Sequence, residues 1–221
     1  LSFVLLITSY LISKGYVMYD HALVQYPITQ MVEDICGNEN YTTLEELPQM
    51  YINAVIAVED QRYYHHSGID IYAISRALYH DLLAMSYVEG GSTITQQLAK
   101  NVYFTQEKKM ERKIAEVFMA QAIEKVCSKD QILELYLNSI YFGDGYYCVY
   151  DASMGYFDKE PIQMDDYEST LLAGIPNAPS VYSLSNSPTL ASQRQKQVLK
   201  RMIKNHYITK EQADAILQSH E

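Results

Sequence analysis

Two neighbouring carboxylates, Glu59 and Asp60, follow an apolar stretch that ends at Val58. A helix formed by that stretch would carry both acids at its C-terminal end, where the helix dipole disfavours negative charge and so favours proton uptake. A glutamate in such a place can act as a general base. The alternative is a solvated acidic helix end followed by an aromatic loop. This segment alone leaves both interpretations open.

The next residues, His65 and His66, are of a type that binds metals. Adjacent side chains point in different directions on any regular backbone, and no second ligand pair has the spacing of a zinc site. The three cysteines, Cys36, Cys127 and Cys148, contain no C-x-x-C pair, so they indicate neither a zinc site nor a disulfide framework. The sequence therefore does not predict zinc.

A second segment, residues 90–101, reads Gly-Gly-Ser-Thr-Ile-Thr-Gln-Gln-Leu-Ala-Lys-Asn. Its two glycines lead into a helix with Thr93 and Gln96 as a capping box, and the free N–H groups of such a helix start suit phosphate oxygens. Lys100 adds a mobile positive charge. The segment lacks the Gly-Lys-Ser/Thr of a Walker motif. Without other evidence it is equally an ordinary turn before a helix.

The charge distribution singles out the same region. Seventeen Lys and Arg against twenty-seven Asp and Glu give a net charge of −10, which argues against a nucleic-acid partner. Residues 90–129 instead carry seven Lys and Arg and four Asp and Glu, so we expect an anionic ligand there. Arg112 and Glu116, four residues apart on one helix face, form either an ordinary ion pair or a part of that site.

Helices must position these groups, because helical periodicity recurs along the chain. Capping boxes begin at Thr43, Thr93, Ser128 and Thr209, each ahead of a helical stretch. Runs of alternating β-branched residues are nearly absent, although residues 16–26 could hold a short strand. The predicted fold class is mainly α.

The first twelve residues, LSFVLLITSYLI, are almost wholly apolar. A helix needs about 20 apolar residues to cross a bilayer core of ~30 Å, so this run is too short to span by itself. We interpret it as the trimmed end of a membrane anchor; a buried core helix or a signal-peptide remnant is the alternative. The predicted organisation is a truncated anchor over residues 1–13, a connecting segment over 14–43 and one domain over 44–221.

Together the motifs identify a family. Residues 59–68 follow Glu-Asp-x-x-Phe-x-x-His-x-Gly with Tyr63 in place of Phe, residues 90–101 match Gly-Gly-Ser-Thr-Ile-Thr-Gln-Gln-Leu-x-Lys-Asn, residues 112–116 are Arg-Lys-x-x-Glu, and the runs 132–138 and 173–180 complete the set. The chain resembles the family 51 peptidoglycan glycosyltransferases, which occur alone as monofunctional transglycosylases and at the N-terminus of class A penicillin-binding proteins. The resemblance covers residues 44–182.

The chain departs from the family pattern at three positions. Tyr63 replaces Phe, Cys148 replaces a Gly, and Asp158 replaces the Gly of Tyr-Phe-Gly-Lys. None of these changes removes a charged group of the expected site. Neither Ser-x-x-Lys nor Lys-Thr-Gly occurs, so no transpeptidase domain is expected in this chain.

The resemblance implies a lysozyme-like helical head with a smaller membrane-facing jaw, and a reaction that polymerises lipid II into glycan strands. A GlcNAc 4-hydroxyl attacks the anomeric carbon of a lipid-pyrophosphate-linked MurNAc with inversion. Such a reaction needs a base for the hydroxyl and cations for the departing pyrophosphate. By the resemblance Glu59 is the base, and Lys100 and Arg112 hold the phosphates.

The resemblance assigns supporting roles to further residues. Glu116, the second essential glutamate, orients Arg112 or helps hold a divalent cation, Mg²⁺ or Mn²⁺; no organic cofactor is expected. The expected substrate contacts are Asp60, Ser92, Gln96, Gln97 and Lys113.

The resemblance also implies a cellular setting. Its expected partners are lipid II, the growing glycan strand, the membrane and other cell-wall synthesis proteins. The expected location is the cell membrane, with a single-pass anchor and an extracytoplasmic catalytic domain. The phosphoglycolipid moenomycin is the expected inhibitor.

Two other functions fit a helical fold with a catalytic glutamate. A lytic transglycosylase or lysozyme-type muramidase needs no phosphate-binding Lys and Arg, so it leaves the basic stretch unexplained. A non-catalytic cell-wall scaffold would keep the fold and show no turnover.

Overall fold

The computed structural model describes residues 2–84, 91–105, 107 and 109–220. This part of the chain contains no β-strand, only an isolated bridge between Gly143 and Tyr146. The mainly α fold is therefore confirmed, while the division into head and jaw stays a prediction. Gly90 of the second motif and Lys108 of the basic stretch lie outside the described residues.

The described residues contain twelve α-helices. In chain order they are α1 (Ser2–Gln25), α2 (Ile28–Cys36), α3 (Gln49–Glu59), α4 (Ile71–Ala84), α5 (Ile94–Tyr103), α6 (Met110–Val126), α7 (Lys129–Leu137), α8 (Val149–Phe157), α9 (Asp166–Leu172), α10 (Pro179–Tyr182), α11 (Pro188–Lys204) and α12 (Lys210–Gln218).

The chain divides into two compact units, and each unit combines two separate stretches of sequence. Unit 1 comprises Leu1–Gly37 and Tyr63–Tyr136, and unit 2 comprises Asn38–Arg62 and Leu137–Glu221. The boundaries expected at 13/14 and 43/44 do not coincide with this division, because stretches distant in sequence pack into one core. The functional division at those boundaries stays a prediction.

In unit 1, helix α1 packs along α6. The two helices approach closely at Gly15, where an added Cβ would lie 2.5 Å from Ile114 Cγ2. The rings of Tyr16 and Tyr19 pack on Phe118 with centroid distances of 5.4 and 5.8 Å. Half-buried positions recur at helical spacing along this part of α1, so residues 16–26 do not form the strand considered above.

The N-terminal half of α1 differs from the half that packs on α6. Residues 2–10 are all exposed, although most are apolar. Among the described residues, one helix is long and apolar enough to cross a membrane. This helix is α1, with 24 residues. It passes residue 13 without interruption, so the predicted anchor and the start of the connecting segment form one helix.

Helix α5 packs against α6 and begins at the predicted capping box. The Gln96 N–H donates to Thr93 Oγ1 at 3.1 Å, and the Thr93 N–H donates to Gln96 Oε1 at 3.0 Å. The predicted box at Thr209 is likewise present. The box at Thr43 is also formed, but it begins a single 3₁₀ turn, and α3 starts only after Pro48.

Helix α3 forms the centre of unit 2, where it packs against α9 and α11. Most of its residues are buried, including Tyr51 and Val55, as expected for a helix that is apolar on all sides. The two stretches of unit 2 are joined at Asn138, whose amide donates to Thr42 O and accepts from Thr42 N–H, each at 2.8 Å. This packing fixes the end of α3, where Glu59 lies.

Candidate active site

Glu59 is the last residue of α3, and only 8% of its side chain is exposed. Asp60, the next residue, is also buried. The Asn205 amide donates to Ala57 O at 3.3 Å, so a side chain of α11's C-terminal cap satisfies a carbonyl in the last turn of α3. The end of α3 is therefore not the solvated acidic helix end considered above.

Arg194 of α11 faces this carboxylate within unit 2. Its Nη2 lies 3.9 Å from Glu59 Oε1, and 13% of the arginine side chain is exposed. Its other groups bind elsewhere, because Nε donates to Gly174 O at 3.4 Å and Nη1 donates to Gln197 Oε1 at 2.9 Å. The guanidinium is thereby oriented with one edge towards Glu59.

A second cluster lies in unit 1 on the first turns of α6. Glu116 is only 1% exposed, and its two carboxylate oxygens accept from Arg112 Nη1 and from Lys113 Nζ, the latter at 2.9 Å. A buried carboxylate requires such partners because an unpaired charge in the interior is costly. Arg112, Lys113 and Glu116 together carry one excess positive charge.

Lys113 also joins two of the sequence motifs. Its Nζ donates to Ser92 Oγ at 2.7 Å, so residues ahead of α5 are held against α6. Arg112 is fixed at its other side, where Nε donates to Glu107 O at 2.5 Å. The structure therefore brings together four of the predicted site residues, namely Ser92, Arg112, Lys113 and Glu116.

Three predicted site residues lie on α5 and have different surroundings. Gln96 is 2% exposed and closes the capping box, so its side-chain oxygen shapes the start of the helix. Gln97 accepts from the Tyr136 hydroxyl at 3.2 Å. Lys100 is half-buried in the last turn of the same helix.

The two roles considered for Glu116 can be compared with its contacts. Both of its oxygens already accept hydrogen bonds from cationic side chains. A divalent cation prefers carboxylate oxygens that are not neutralised by ammonium and guanidinium groups. These contacts favour the role of orienting Arg112, and both roles stay predictions. The need for a divalent cation stays a prediction.

Sequence reasoning missed Arg194. The residue belongs to none of the motifs quoted above, and no local spacing connects it to Glu59. A signal was nevertheless present, because Arg194 lies four residues before Val198 and so shares the mostly apolar face of α11. A charged residue on a buried helix face usually has a charged partner.

Comparison with known proteins gives the family. The Transglycosylase family matches residues 27–203. The chain is 46% identical over 172 residues to penicillin-binding protein 1A of Aquifex aeolicus, covering 78% of this chain and 24% of that protein. It is 45% identical over 176 residues to penicillin-binding protein 1F of Bacillus subtilis, covering 80% of this chain and 25% of that protein.

A similar solved structure is penicillin-binding protein 1A of Haemophilus influenzae, with 25% sequence identity, a TM-score of 0.48, and coverage of 80% of this chain and 17% of that one. The chain thus spans about a quarter of the length of the curated relatives named above. The family match covers most of the chain and includes Glu59 and both clusters of charged residues. The chain belongs to the Transglycosylase family.

Proposed function

We propose that this chain is a peptidoglycan glycosyltransferase that polymerises lipid II. The observation that carries the proposal is the charged cluster of unit 1, in which buried Glu116 orients Arg112 and Lys113, and Lys113 reaches Ser92. A shaped cationic cluster in a chain of net charge −10 needs an explanation, and a pyrophosphate group provides one. Family membership supplies the rest of the reaction.

Glu59 takes the proton of the acceptor 4-hydroxyl in this proposal. The hydroxyl oxygen then forms a bond to the anomeric carbon of the donor, and the bond from that carbon to the pyrophosphate oxygen breaks with inversion. The burial of Glu59 supports this role, because the exclusion of water limits competition between water and the acceptor hydroxyl for the carboxylate.

Lys100 and Arg112 stabilise the negative charge that develops on the departing pyrophosphate. Arg112 suits this role because its guanidinium is held by Glu116 and by the Glu107 carbonyl before substrate arrives. Lys113 and Ser92 extend the donor site, and Gln97 contributes a further polar contact. Gln96 fixes the start of α5 by accepting a hydrogen bond from the Thr93 N–H. Asp60 is a buried neighbour of Glu59 and contributes from that position.

A divalent cation, Mg²⁺ or Mn²⁺, would assist by screening the charge of the pyrophosphate. Because Glu116 is already bound by two cationic side chains, the steps above use only side chains of this protein.

Helix α1 anchors the protein at the membrane in this proposal. Its exposed first half, residues 2–10, would lie among lipid chains, while its second half packs on α6. The catalytic part would then lie outside the cytoplasm, beside the lipid-linked substrate and the growing strand. Other cell-wall synthesis proteins are its expected partners there.

The decisive experiment measures polymerisation of labelled lipid II by purified protein and compares three variants with the wild type. Glu59→Gln keeps the side-chain size and removes the base, so activity should fall at least about 100-fold. Arg112→Ala should also abolish most turnover. Lys109→Ala is the matched control, because Lys109 is exposed and forms its ion pair with nearby Glu107, at 2.5 Å; its activity should stay within a few-fold of wild type.

The same proteins distinguish synthesis from hydrolysis. A polymerase should bind moenomycin, with weaker binding in Arg112→Ala, and release no muropeptides from purified sacculi. Muropeptide release that depends on Glu59, without any response to moenomycin, would establish the lytic function instead. Normal folding without either activity would establish the scaffold function.

A further inference from the structure

We infer that Arg194 is a positioning residue for Glu59, and that Gly174 provides the space that lets Arg194 reach it. The inference rests on the proposed function, because it assigns a partner to the general base of that reaction. Arg194 Nη2 lies 3.9 Å from Glu59 Oε1, which is an ion-pair distance but too long for a hydrogen bond. Both side chains are largely buried, so solvent screens their attraction only weakly.

The distance between the two groups suits the role of a base. A hydrogen bond from the guanidinium would occupy a lone pair of the carboxylate, whereas a charge at this distance stabilises the ionised form without occupying one. Arginine suits the role because its guanidinium stays charged at every pH at which the reaction could run. Arg194 thereby orients Glu59 and places a positive charge beside it before the acceptor hydroxyl arrives.

Gly174 accounts for the direction of the arginine side chain. An added Cβ at Gly174 would lie 2.9 Å from Arg194 Cγ, and the Gly174 carbonyl accepts the hydrogen bond from Arg194 Nε at 3.4 Å. The backbone of Gly174, with φ −81° and ψ −25°, is open to any residue, so conformation does not require a glycine there. The glycine is required because the Arg194 side chain occupies the space where a Cβ would lie.

This contact gives a role to the motif at residues 173–180, which the sequence analysis named only as part of the family pattern. Gly174 lies in that motif, and its buried neighbour Ile175 begins a 3₁₀ turn. The motif therefore borders the space that the Arg194 side chain occupies. Glu59, Gly174 and Arg194 come from three separate parts of the sequence, and unit 2 brings them together.

Other charged groups lie on the elements that carry the pair and on helix α9, which packs against them. Asp60 follows Glu59 directly and Arg62 is close in sequence. Helix α9, which packs against α3, carries Asp166 and Glu168, and Glu168 is bound by Lys159 Nζ at 2.7 Å. Helix α11 carries four more cations, Lys196, Lys200, Arg201 and Lys204. These groups are unchanged in the Arg194 variants below, so a shift in pH dependence is due to Arg194.

The test is a pH–rate profile of lipid II polymerisation for the full chain and its Arg194 variants. In Arg194→Gln, the acid limb of kcat should move to higher pH by about 1 unit, because a nearby opposite charge favours an ionised carboxylate by at least that much. The plateau value of kcat should fall about tenfold as the orientation of the base is lost, while KM changes little.

Three further variants separate the effect of the Arg194 charge from the effect of the space beside Gly174 and from the effect of removing any cation from α11. Arg194→Lys keeps the charge, so its acid limb should stay at the wild-type pH while its plateau is lowered. Gly174→Ala should move the acid limb in the same direction as Arg194→Gln but by less. Lys196→Gln removes an exposed cation from the same helix and should leave both features unchanged.

The outcomes decide between this inference and the proposed function. If wild-type protein makes no polymer, or if Glu59→Gln stays active, the proposed function is wrong. If Glu59 is essential but Arg194→Gln keeps the wild-type acid limb, or if Lys196→Gln shifts it equally, Arg194 has no positioning role. Should Arg194→Gln fail to fold, as judged by thermal unfolding, the profiles of Arg194→Lys and Gly174→Ala decide the same question.

Discussion

Asp158 follows the last turn of helix α8 with φ 55° and ψ 39°, in the left-handed region. The related family carries a glycine here, and the backbone explains that preference, because a Cβ is disfavoured in this conformation. Aspartate is among the few residues that tolerate it. The substitution therefore keeps the helix end and costs some stability.

Replacing Asp158 with glycine should stabilise the protein by about 1 kcal/mol, because it relieves the left-handed strain and removes a negative charge from a helix C-terminus. Asp158→Asn removes only the charge and should gain a few tenths of a kcal/mol. Chemical denaturation measures both values. A loss of stability in Asp158→Gly would mean that the aspartate makes a contact that compensates for its backbone.

The other two departures from the family pattern are also accommodated locally. Cys148 caps helix α8, where its Sγ accepts from the Asp151 N–H at 3.4 Å, and burial raises the pKa of its thiol to about 11. The cap is thus a neutral, unreactive thiol at physiological pH. Tyr63 is buried, and its hydroxyl donates to Lys129 O at 2.5 Å, so the extra oxygen has a partner.

At the scale of elements, α1 is both a candidate membrane span and a part of unit 1. Its contact with α6 depends on Gly15, which lies against Ile114 and Glu111. The same helix α6 carries Arg112, Lys113 and Glu116 a few residues away. The position of α1 and the position of the charged cluster are therefore linked through one helix.

Gly15→Ala tests this contact, because two effects predict opposite signs. Alanine is the better helix former by about 1 kcal/mol, so an exposed site would gain stability. The new Cβ would lie 2.5 Å from Ile114 Cγ2, and overpacking of this kind costs about 1 to 3 kcal/mol. We expect a net loss of stability in detergent solution and reduced polymerisation.

The matched control for this variant is Ser13→Ala, an exposed position on the same helix, which should change stability little. A gain of stability in Gly15→Ala would mean that α1 does not pack closely on α6.

At the scale of the whole molecule, the chain combines a net charge of −10 with an exposed apolar helix end. A negative protein gains little from anionic lipid headgroups, so we expect membrane binding to depend on apolar burial. Salt screens charge interactions but does not weaken apolar burial. These two facts define the expected response of the protein to ionic strength.

Liposome flotation at low and high salt measures that response. The full chain should float with vesicles under both conditions, and removal of residues 1–12 should reduce the bound fraction strongly. Loss of binding when salt alone is added would show that the attraction is electrostatic. Equal binding with and without residues 1–12 would show that another surface binds the membrane.

The sequence alone determined the helical class, the capping boxes at Thr93 and Thr209 and the Arg112–Glu116 pair, because each depends on residues three or four apart that any helix brings together. Its motifs also determined the family. Only the tertiary structure decided that residues 16–25 are helical and pack on α6, and that Lys113 reaches Ser92.

The pairing of Glu59 with Arg194, beside Gly174, was likewise decided only by the tertiary structure. Such contacts join residues far apart in sequence, and the packing of whole helices sets their distance, which no local periodicity encodes.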